Sequence, residues 1–241
     1  MKLLDYFINN YNLYIFCYFF IANFFIYTIY EPFKQKIILA YPKFETYDQS
    51  RQNYIIKNLM KAMALYFISI LSIPVIPAFL FNYQKLNIII QLTGVFYAAN
   101  DFVGLLKVKK LGFSTKIHHI VSTSLGLSVP MIDFFSSSTA RLLMIYTLAS
   151  CYTYKVNYYL GYRFINEKED LKMIKNKAFN IYLLSFACNL SFQYYWLYIH
   201  FYDLSIYNII YYCIITPLIY DDFKLLYWLY KPAYQKEEKI H

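Results

Sequence analysis

Residues 94–130 read GVFYAANDFVGLLKVKKLGFSTKIHHIVSTSLGLSVP, which is two apolar runs joined by a short basic connector. The first run carries Asn100 and Asp101, and the second opens with His118 and His119. The connector is rich in lysine and holds one glycine, which suits a turn between two helices outside the hydrocarbon of a membrane. If both runs are helices, they are antiparallel neighbours, and polar side chains within them require partners or a function.

Helix geometry places the acid and the two histidines at one depth. With one helix ending near Lys107 and the next beginning near Thr115, a rise of about 1.5 Å per residue puts Asp101 about 9 Å from the connector and the histidines about 5 to 6 Å. Steps of three and four residues define one face of each helix. These faces hold Gly94, Tyr97, Asp101 and Gly104 in the first helix, and His119, Thr123, Gly126 and Pro130 in the second, with Ser122 beside them. We expect the two faces to meet.

The composition of the whole chain predicts an all-α polytopic membrane bundle. Hydrophobic residues make up 59% of the 241 residues and charged residues only 15%, which is not the composition of a soluble domain. The net charge of +9 indicates no nucleic-acid partner, because basic residues of a membrane protein gather on its cytosolic side. The excess of Tyr and Phe beside many Ile, Asn and Lys matches A/T-rich codon usage rather than a base-stacking surface.

The cysteines give no indication of a covalent or metal framework. Cys17, Cys151, Cys188 and Cys213 lie singly inside apolar runs, without CxxC spacing or a Cys/His cluster. The sequence therefore predicts neither disulfides nor a metal site. It also holds no glycine-rich phosphate loop, and no bound cofactor is predicted.

Seven apolar runs are close to the roughly 20 residues that a helix needs to cross a bilayer. They are residues 12–30, 59–81, 86–106, 115–132, 140–160, 178–200 and 204–220. Six spans are the alternative, because the last run is short. Pro74 and Pro77 predict a kinked or partly unwound second helix, and Pro130 interrupts the fourth run near its end.

Positive charge orients these runs. Most of the 23 lysines and arginines fall in alternate connectors and in the tail, whereas the other side holds only Lys2, Lys85 and Arg141. Since basic residues stay in the cytosol, seven spans put the N-terminus outside or in a lumen and the C-terminus in the cytosol. The basic segments are residues 31–58, 107–116, 161–177 and 224–239.

Ionisable residues inside or beside the runs receive separate interpretations. We expect Lys61 and Lys155, which lie close to basic ends, to extend toward the interface. We expect Asp221 and Asp222 to be interfacial residues just past the last span.

The polar groups at the cytosolic level predict a cavity that opens to the cytosol. Asp101, His118 and His119 are the candidate catalytic or lipid-binding residues, since a histidine beside a carboxylate can act as a general base on an amine or hydroxyl that attacks a thioester. Spacing alone does not distinguish this role from a structural network between helices. The predicted cavity-lining residues are Asn100, Tyr97, Ser122, Thr123, Ser150, Tyr154 and Asn157. Of these, Ser150, Tyr154 and Asn157 form an i, i+4, i+7 face of the fifth run.

The chain resembles the TLC-domain family, which joins ceramide synthases, translocating-chain-associating membrane proteins and ceroid-lipofuscinosis membrane proteins. The resemblance rests on Tyr97-Ala98-Ala99-Asn100-Asp101, the basic connector and His118-His119, and extends more loosely to Arg51, Asn53 and Asn58. It covers about residues 51–225, between a first span with its loop (1–50) and a cytosolic tail (226–241). It implies an endoplasmic-reticulum or related endomembrane location, at least five spans and involvement with lipids.

In the synthase branch, the resemblance further implies acyl transfer from acyl-CoA to a sphingoid base by the histidine pair and later aspartates. The later motif, His-Asp followed three residues on by Asp, is missing here, where residues 148–155 read LASCYTYK. Residues 113–116, FSTK, likewise hold no acid before the histidine pair. We therefore expect a non-synthase-like member that binds or senses lipids and influences membrane lipid composition.

Other interpretations stay open. A divergent lipid N-acyltransferase that takes acyl-CoA as substrate is the alternative, and a small-solute transporter, which only Pro74 and Pro77 favour, is a third. Membrane lipids are the expected partners, and the sequence leaves both a monomer and a homo-oligomer open.

Overall fold

A computed structural model describes residues 11–81, 84–166 and 169–231, and every extended regular element in this part of the chain is a helix. Short 3-10 turns occur between several helices. The helices are α1 (Tyr11–Ala40), α2 (Gln49–Ser72), α3 (Val75–Leu80), α4 (Asn87–Lys107), α5 (Phe113–Ser128), α6 (Ser138–Cys151), α7 (Tyr154–Tyr162), α8 (Glu169–Ile199) and α9 (Ile206–Tyr230). The all-α prediction is confirmed.

Three of these helices are long and apolar enough to cross a membrane: Leu13–Ala40 within α1, Gln49–Ser72 and Asn87–Lys107. The other predicted spans fall on α5, on α6 with α7, on α8 and on α9. Their number as membrane spans stays a prediction.

Helix breaks occur where proline predicts them. Helix α2 ends at Ser72 and α3 begins at Val75, which places the break at Pro74. Helix α5 ends at Ser128 and passes into a 3-10 turn that contains Pro130. Proline lacks an N–H and its ring clashes with the preceding turn, so the regular ladder stops at both places.

Helices α1, α2 and α9 extend beyond the apolar runs that predict them. Helix α1 continues to Ala40 and α2 begins at Gln49, so much of the basic segment 31–58 is helical rather than a loop. Helix α9 continues to Tyr230, well past residue 220 and into the predicted tail. Lys2 and the tail beyond residue 231 lie outside the described residues.

The main core forms around α4, which contacts α1, α2 and α5. Helix α1 contributes Ile15, Phe19 and Ala22 to the same core as Val95 and Val103 of α4, so α1 packs with the rest of the bundle.

Two glycines mark close helix approaches. A Cβ atom on Gly126 would lie 2.0 Å from the Cβ of Ala98, so α4 and α5 approach closely, although Ala98 is outside the predicted face of α4 and Gly104 of that face lies against Lys57 of α2. A Cβ on Gly161 would lie 2.8 Å from Cγ of Leu59, which brings α7 against α2. Since α2 also packs against α4, the polar residues of α2, α4 and α5 lie next to one another.

Candidate functional site

Asp101 is the centre of a buried polar cluster and has no exposed surface. Its Oδ1 forms an ion pair with Lys61 Nζ and lies 2.9 Å from His119 Nδ1. Its Oδ2 accepts a hydrogen bond of 2.6 Å from Ser122 Oγ. The carboxylate thereby joins α2, α4 and α5 at one point.

His119 lies between Asp101 and a second buried lysine, Lys57, whose Nζ is 3.0 Å from His119 Nε2. If Lys57 is an ammonium group, which can only donate, Nε2 accepts and the ring proton lies on Nδ1, facing the carboxylate. That N–H is not aligned with the carboxylate oxygen well enough to make a full hydrogen bond, although the two atoms are close. We therefore describe this contact as electrostatic.

His118 faces a different acid, which comes from α9. Its Nδ1 is 3.4 Å from Asp221 Oδ2, and Thr115 Oγ1 is 3.4 Å from Asp221 Oδ1. Each histidine of the pair therefore has its own carboxylate, Asp101 for His119 and Asp221 for His118.

The next residue of α9, Asp222, is held by two tyrosines. Tyr146 donates a hydrogen bond of 2.6 Å to its Oδ2, and Tyr182 donates one of 2.7 Å to its Oδ1. Because both tyrosines come from other helices, Asp222 ties α9 to α6 and α8.

A narrow cleft of about 60 Å³ runs beside this cluster. Along α5 its lining passes from His118 and Ser122 to Leu125 and Val129. The lining also includes the polar residues Ser72, Thr93, Tyr97 and Ser150 and apolar side chains such as Ile90, Phe134 and Leu143. Helix α4 supplies Ile90 and Tyr97, about two turns apart, so the two ends of the cleft are separated along the helix axis.

The predicted site residues divide into two groups. Tyr97, His118, Ser122 and Ser150 line the cleft. Asp101, His119, Asn100 and Thr123 are buried, with 7% exposure or less, and are not among its lining residues. The cluster thus forms a layer behind the wall of the cleft.

Tyr154 and Asn157 do not line the cleft. The fifth run is interrupted by a turn at Tyr152 and Thr153, so the i, i+4, i+7 face that links these residues to Ser150 is not continuous. Tyr154 instead packs edge-on against Tyr66 of α2, with ring centroids 5.1 Å apart.

Two lysines and an acid take positions that the sequence interpretation missed. The expectation that Lys61 extends to the interface is wrong, because it is 6% exposed and paired with Asp101. Lys57, four residues earlier, is 7% exposed and lies on the same face of α2. Asp222 lies within α9 rather than past its end. The i, i+4 spacing of the lysines is the signal that could have located them.

Each charged residue of the cluster depends on its partners for a favourable free energy of burial. A buried ion pair contributes little net stability over apolar residues of similar shape, but removal of one partner leaves an uncompensated charge at a cost of about 3–5 kcal/mol. Asp101 faces two such cations, one directly and one through His119, so its carboxylate holds the cluster together.

Comparison with protein-family models, curated proteins and solved structures gave no match to this chain. Within the described residues, His, Cys, Asp and Glu form no group of three or more that could hold a metal ion. The arrangement is thus a pair of histidine and carboxylate contacts beside an amphiphilic cleft.

Proposed function

We propose that this chain is a multi-pass membrane protein that binds a lipid in the cleft, with the lipid's chain toward Val129 and its polar end beside His118 and Ser122. The observation that carries the proposal is the polarity gradient of the cleft along α5, where the lining passes from His118 and Ser122 to Leu125 and Val129. A ligand with the same gradient, which is a lipid, fits it best.

The volume of the cleft supports a slender ligand. About 60 Å³ holds only about four to six water-sized spheres, so it accommodates a short segment of a hydrocarbon chain rather than a bulky ring system. Exposed apolar residues on α1 and α8, such as Phe24 at 72% and Leu184 at 67%, support a lipid environment around the bundle.

The proposed topology has seven spans, with α6 and α7 forming one span and the C-terminus in the cytosol. Support comes from the alternate basic connectors, which leave the lysines of the segment between α4 and α5 on the cytosolic side. The polar end of the cleft then lies nearer the cytosol.

The wider role that we propose is that of a TLC-like protein of the endoplasmic reticulum or a related endomembrane, which senses lipids and influences membrane lipid composition. This part rests on the sequence resemblance around Tyr97–Asp101 and His118-His119.

Lipid N-acyl transfer is the second candidate, and Asp221 favours it. The sequence shows no acid near the histidine pair in the expected region, but α9 supplies one 3.4 Å from His118 Nδ1. With its proton on Nδ1, His118 presents Nε2 as a base. An amine lipid would lose a proton to Nε2 while its nitrogen attacks the thioester carbon of acyl-CoA; the C–S bond breaks, and the CoA thiolate leaves and is protonated.

The test of lipid binding uses purified protein and mass spectrometry of co-purified lipids. Leu125→Trp places a large side chain in the cleft lining and should remove most of the bound lipid, whereas Leu184→Trp on the exposed surface of α8 should not. Equal lipid content in the two variants would contradict the proposal.

The test of acyl transfer supplies long-chain acyl-CoA with a panel of amine and hydroxyl lipids. Product that is lost in both His118→Asn and Asp221→Asn, with unchanged thermal stability, supports the enzyme. Bound lipid without turnover supports the non-enzymatic role. If replacement of both histidines by alanine only destabilises the protein, with no separable loss of lipid, the pair is a structural network.

A further inference from the structure

Cationic and aromatic side chains alternate at the basic end of the bundle. Arg51 Cζ lies 5.7 Å from the ring centroid of Tyr47 and 5.3 Å from that of Phe164. Arg163 Cζ lies 4.6 Å from the centroid of Phe164 and 4.5 Å from that of Trp228. Lys175 Nζ lies 5.7 Å from the centroid of Trp228. We call this set, Tyr47, Arg51, Phe164, Arg163, Trp228 and Lys175, the cationic ladder.

The ladder is assembled from four separate parts of the chain. Arg51 lies in the first turn of α2, and Arg163 follows α7. Lys175 lies in the second turn of α8, and Trp228 lies near the end of α9. None of these residues lines the cleft, so the ladder is a separate feature from the lipid-binding site proposed above.

Positive charge in the ladder has no carboxylate partner among the side chains that the structure describes, which do not include those of Glu167, Glu169 and Asp170. Within that set, no carboxylate lies within 4.0 Å of the side-chain nitrogens of Arg51, Arg163 or Lys175. Lys175 donates to the backbone carbonyl of Lys231, which brings no charge. Nε of Arg163 is buried and has no hydrogen-bond partner among these described side chains.

Aromatic rings offset only part of the free-energy cost of placing these cations close together. Each cation over a ring gains about 0.5 to 2 kcal/mol, but a buried N–H without an acceptor costs about 1 to 3 kcal/mol, and neighbouring cations repel one another. An oxyanion would satisfy the N–H groups and neutralise the charge. Arginine's planar fork matches the oxygens of phosphate, and stacked rings hold that fork in place.

We propose that the cationic ladder binds a phosphate group. The phosphate comes either from the headgroup of a membrane lipid or from a water-soluble phosphate compound, because both have the same oxygen chemistry and both reach the end of a bundle beside the membrane surface. The site is selective for arginine geometry, so Arg163 contributes more than an exposed lysine of the same charge.

Acidic residues close to Arg163 in sequence could neutralise the cations of the ladder in place of a phosphate group. Glu167, Glu169 and Asp170 come within seven residues of Arg163. If their carboxylates occupy the ladder, a phosphate group will gain access only when they are neutralised, and the experiment below includes that comparison.

Trp228 provides a reporter inside the ladder. The chain has only two tryptophans, and the other, Trp196, stacks on His200 near the opposite end of α8, with centroids 4.5 Å apart. In a Trp196→Phe variant, all tryptophan fluorescence comes from Trp228. The full chain is placed in phosphatidylcholine nanodiscs, and emission is followed as phosphatidic acid replaces part of the lipid, or as inorganic phosphate is added to the solution.

We expect a saturable change of Trp228 emission in at least one arm. Salt should weaken the binding, because the charges that attract the phosphate are partly exposed to solvent. A response to phosphatidic acid alone identifies a lipid headgroup, and a response to inorganic phosphate alone identifies a soluble ligand. Arg163→Gln should weaken the apparent affinity by about tenfold or more. Lys110→Gln, which removes an exposed charge on the same side, should change it by less than about twofold.

Folding is checked by thermal unfolding, and exposed Arg51 supplies a second variant, Arg51→Gln, if Arg163→Gln unfolds. The proposal is overturned by no response in either arm, or by equal effects of Lys110→Gln and the ladder variants. It is also overturned if the response occurs only after Glu167→Gln, Glu169→Gln and Asp170→Asn are combined, because the chain's own carboxylates then neutralise the ladder.

Discussion

Substitution Gly126→Ala tests whether the approach of α4 and α5 holds the polar cluster together. The added Cβ would lie 2.0 Å from the Cβ of Ala98, whereas carbon atoms in contact are about 3.5 to 4.0 Å apart. The helices must therefore separate by about 1.5 to 2 Å. A shift of that size, one turn from Ser122, stretches its 2.6 Å hydrogen bond to Asp101 beyond bonding distance.

Two costs follow from this separation. Overpacking of a close interface costs about 1 to 3 kcal/mol, and loss of a hydrogen bond between membrane helices costs about 0.6 to 2 kcal/mol. We expect Gly126→Ala to lower the free energy of unfolding by about 2 to 5 kcal/mol. The measurement is reversible unfolding in mixed micelles, followed by circular dichroism.

Two further variants isolate the cause. In Gly126→Ala combined with Ala98→Gly, the nearest remaining atom is Ala98 Cα at 3.5 Å, which is ordinary contact, so stability should return to within about 1 kcal/mol of the original. Gly94→Ala is the control, because its Cβ would be 3.5 Å from the methyl groups of Val129. If the double variant is as unstable as Gly126→Ala, or if Gly94→Ala costs as much, the packing argument is refuted.

Asp101→Asn should destabilise the protein by about 3–5 kcal/mol, because it leaves the ammonium group of Lys61 buried without a counter-charge. Lys61→Met combined with Asp101→Leu should recover much of that loss in the same unfolding assay. Equal stability of Asp101→Asn and the double variant would contradict this prediction. Burial, and secondly repulsion from Arg163, lowers the pKa of Lys175 below its ordinary value, so Arg163→Gln should raise that pKa, as measured by NMR of the side chain. Since the folded state binds this proton less tightly than the unfolded state, the free energy of unfolding should rise with pH through the interval just below the ordinary lysine pKa. The rise should be smaller in Arg163→Gln. If Arg163→Gln leaves the pKa of Lys175 unchanged, Arg163 does not repel Lys175.

Local periodicity predicts part of the contact between α4 and α5. The connector between them is short, so the depth of Asp101 and His119 follows from the helical rise, and the two side chains do lie 2.9 Å apart. Gly126 lies in the interface, as its helical spacing predicts, but its partner Ala98 is outside the predicted face of α4. These inferences needed only neighbours in sequence.

Contacts between distant helices could not be predicted in this way. That Lys61 reaches Asp101, or that Asp221 reaches His118, depends on which helices are adjacent, and one sequence does not specify this. Hydropathy ends the last run at residue 220, although the helix continues. A hydropathy scale scores charged residues by type and does not detect that Tyr146 and Tyr182 donate hydrogen bonds to Asp222.

The ion pair between α2 and α4 has a consequence for biosynthesis. Lys61 precedes Asp101 by 40 residues, so α2 leaves the ribosome before its counter-charge exists. At about 5 to 20 residues per second, the lysine waits about 2 to 8 seconds, and insertion of an unpaired lysine at mid-helix costs about 2.5 to 3.5 kcal/mol. Helix α2 of a membrane-inserted chain should therefore stay at the insertion machinery until α4 arrives, and the two should enter the lipid as a pair.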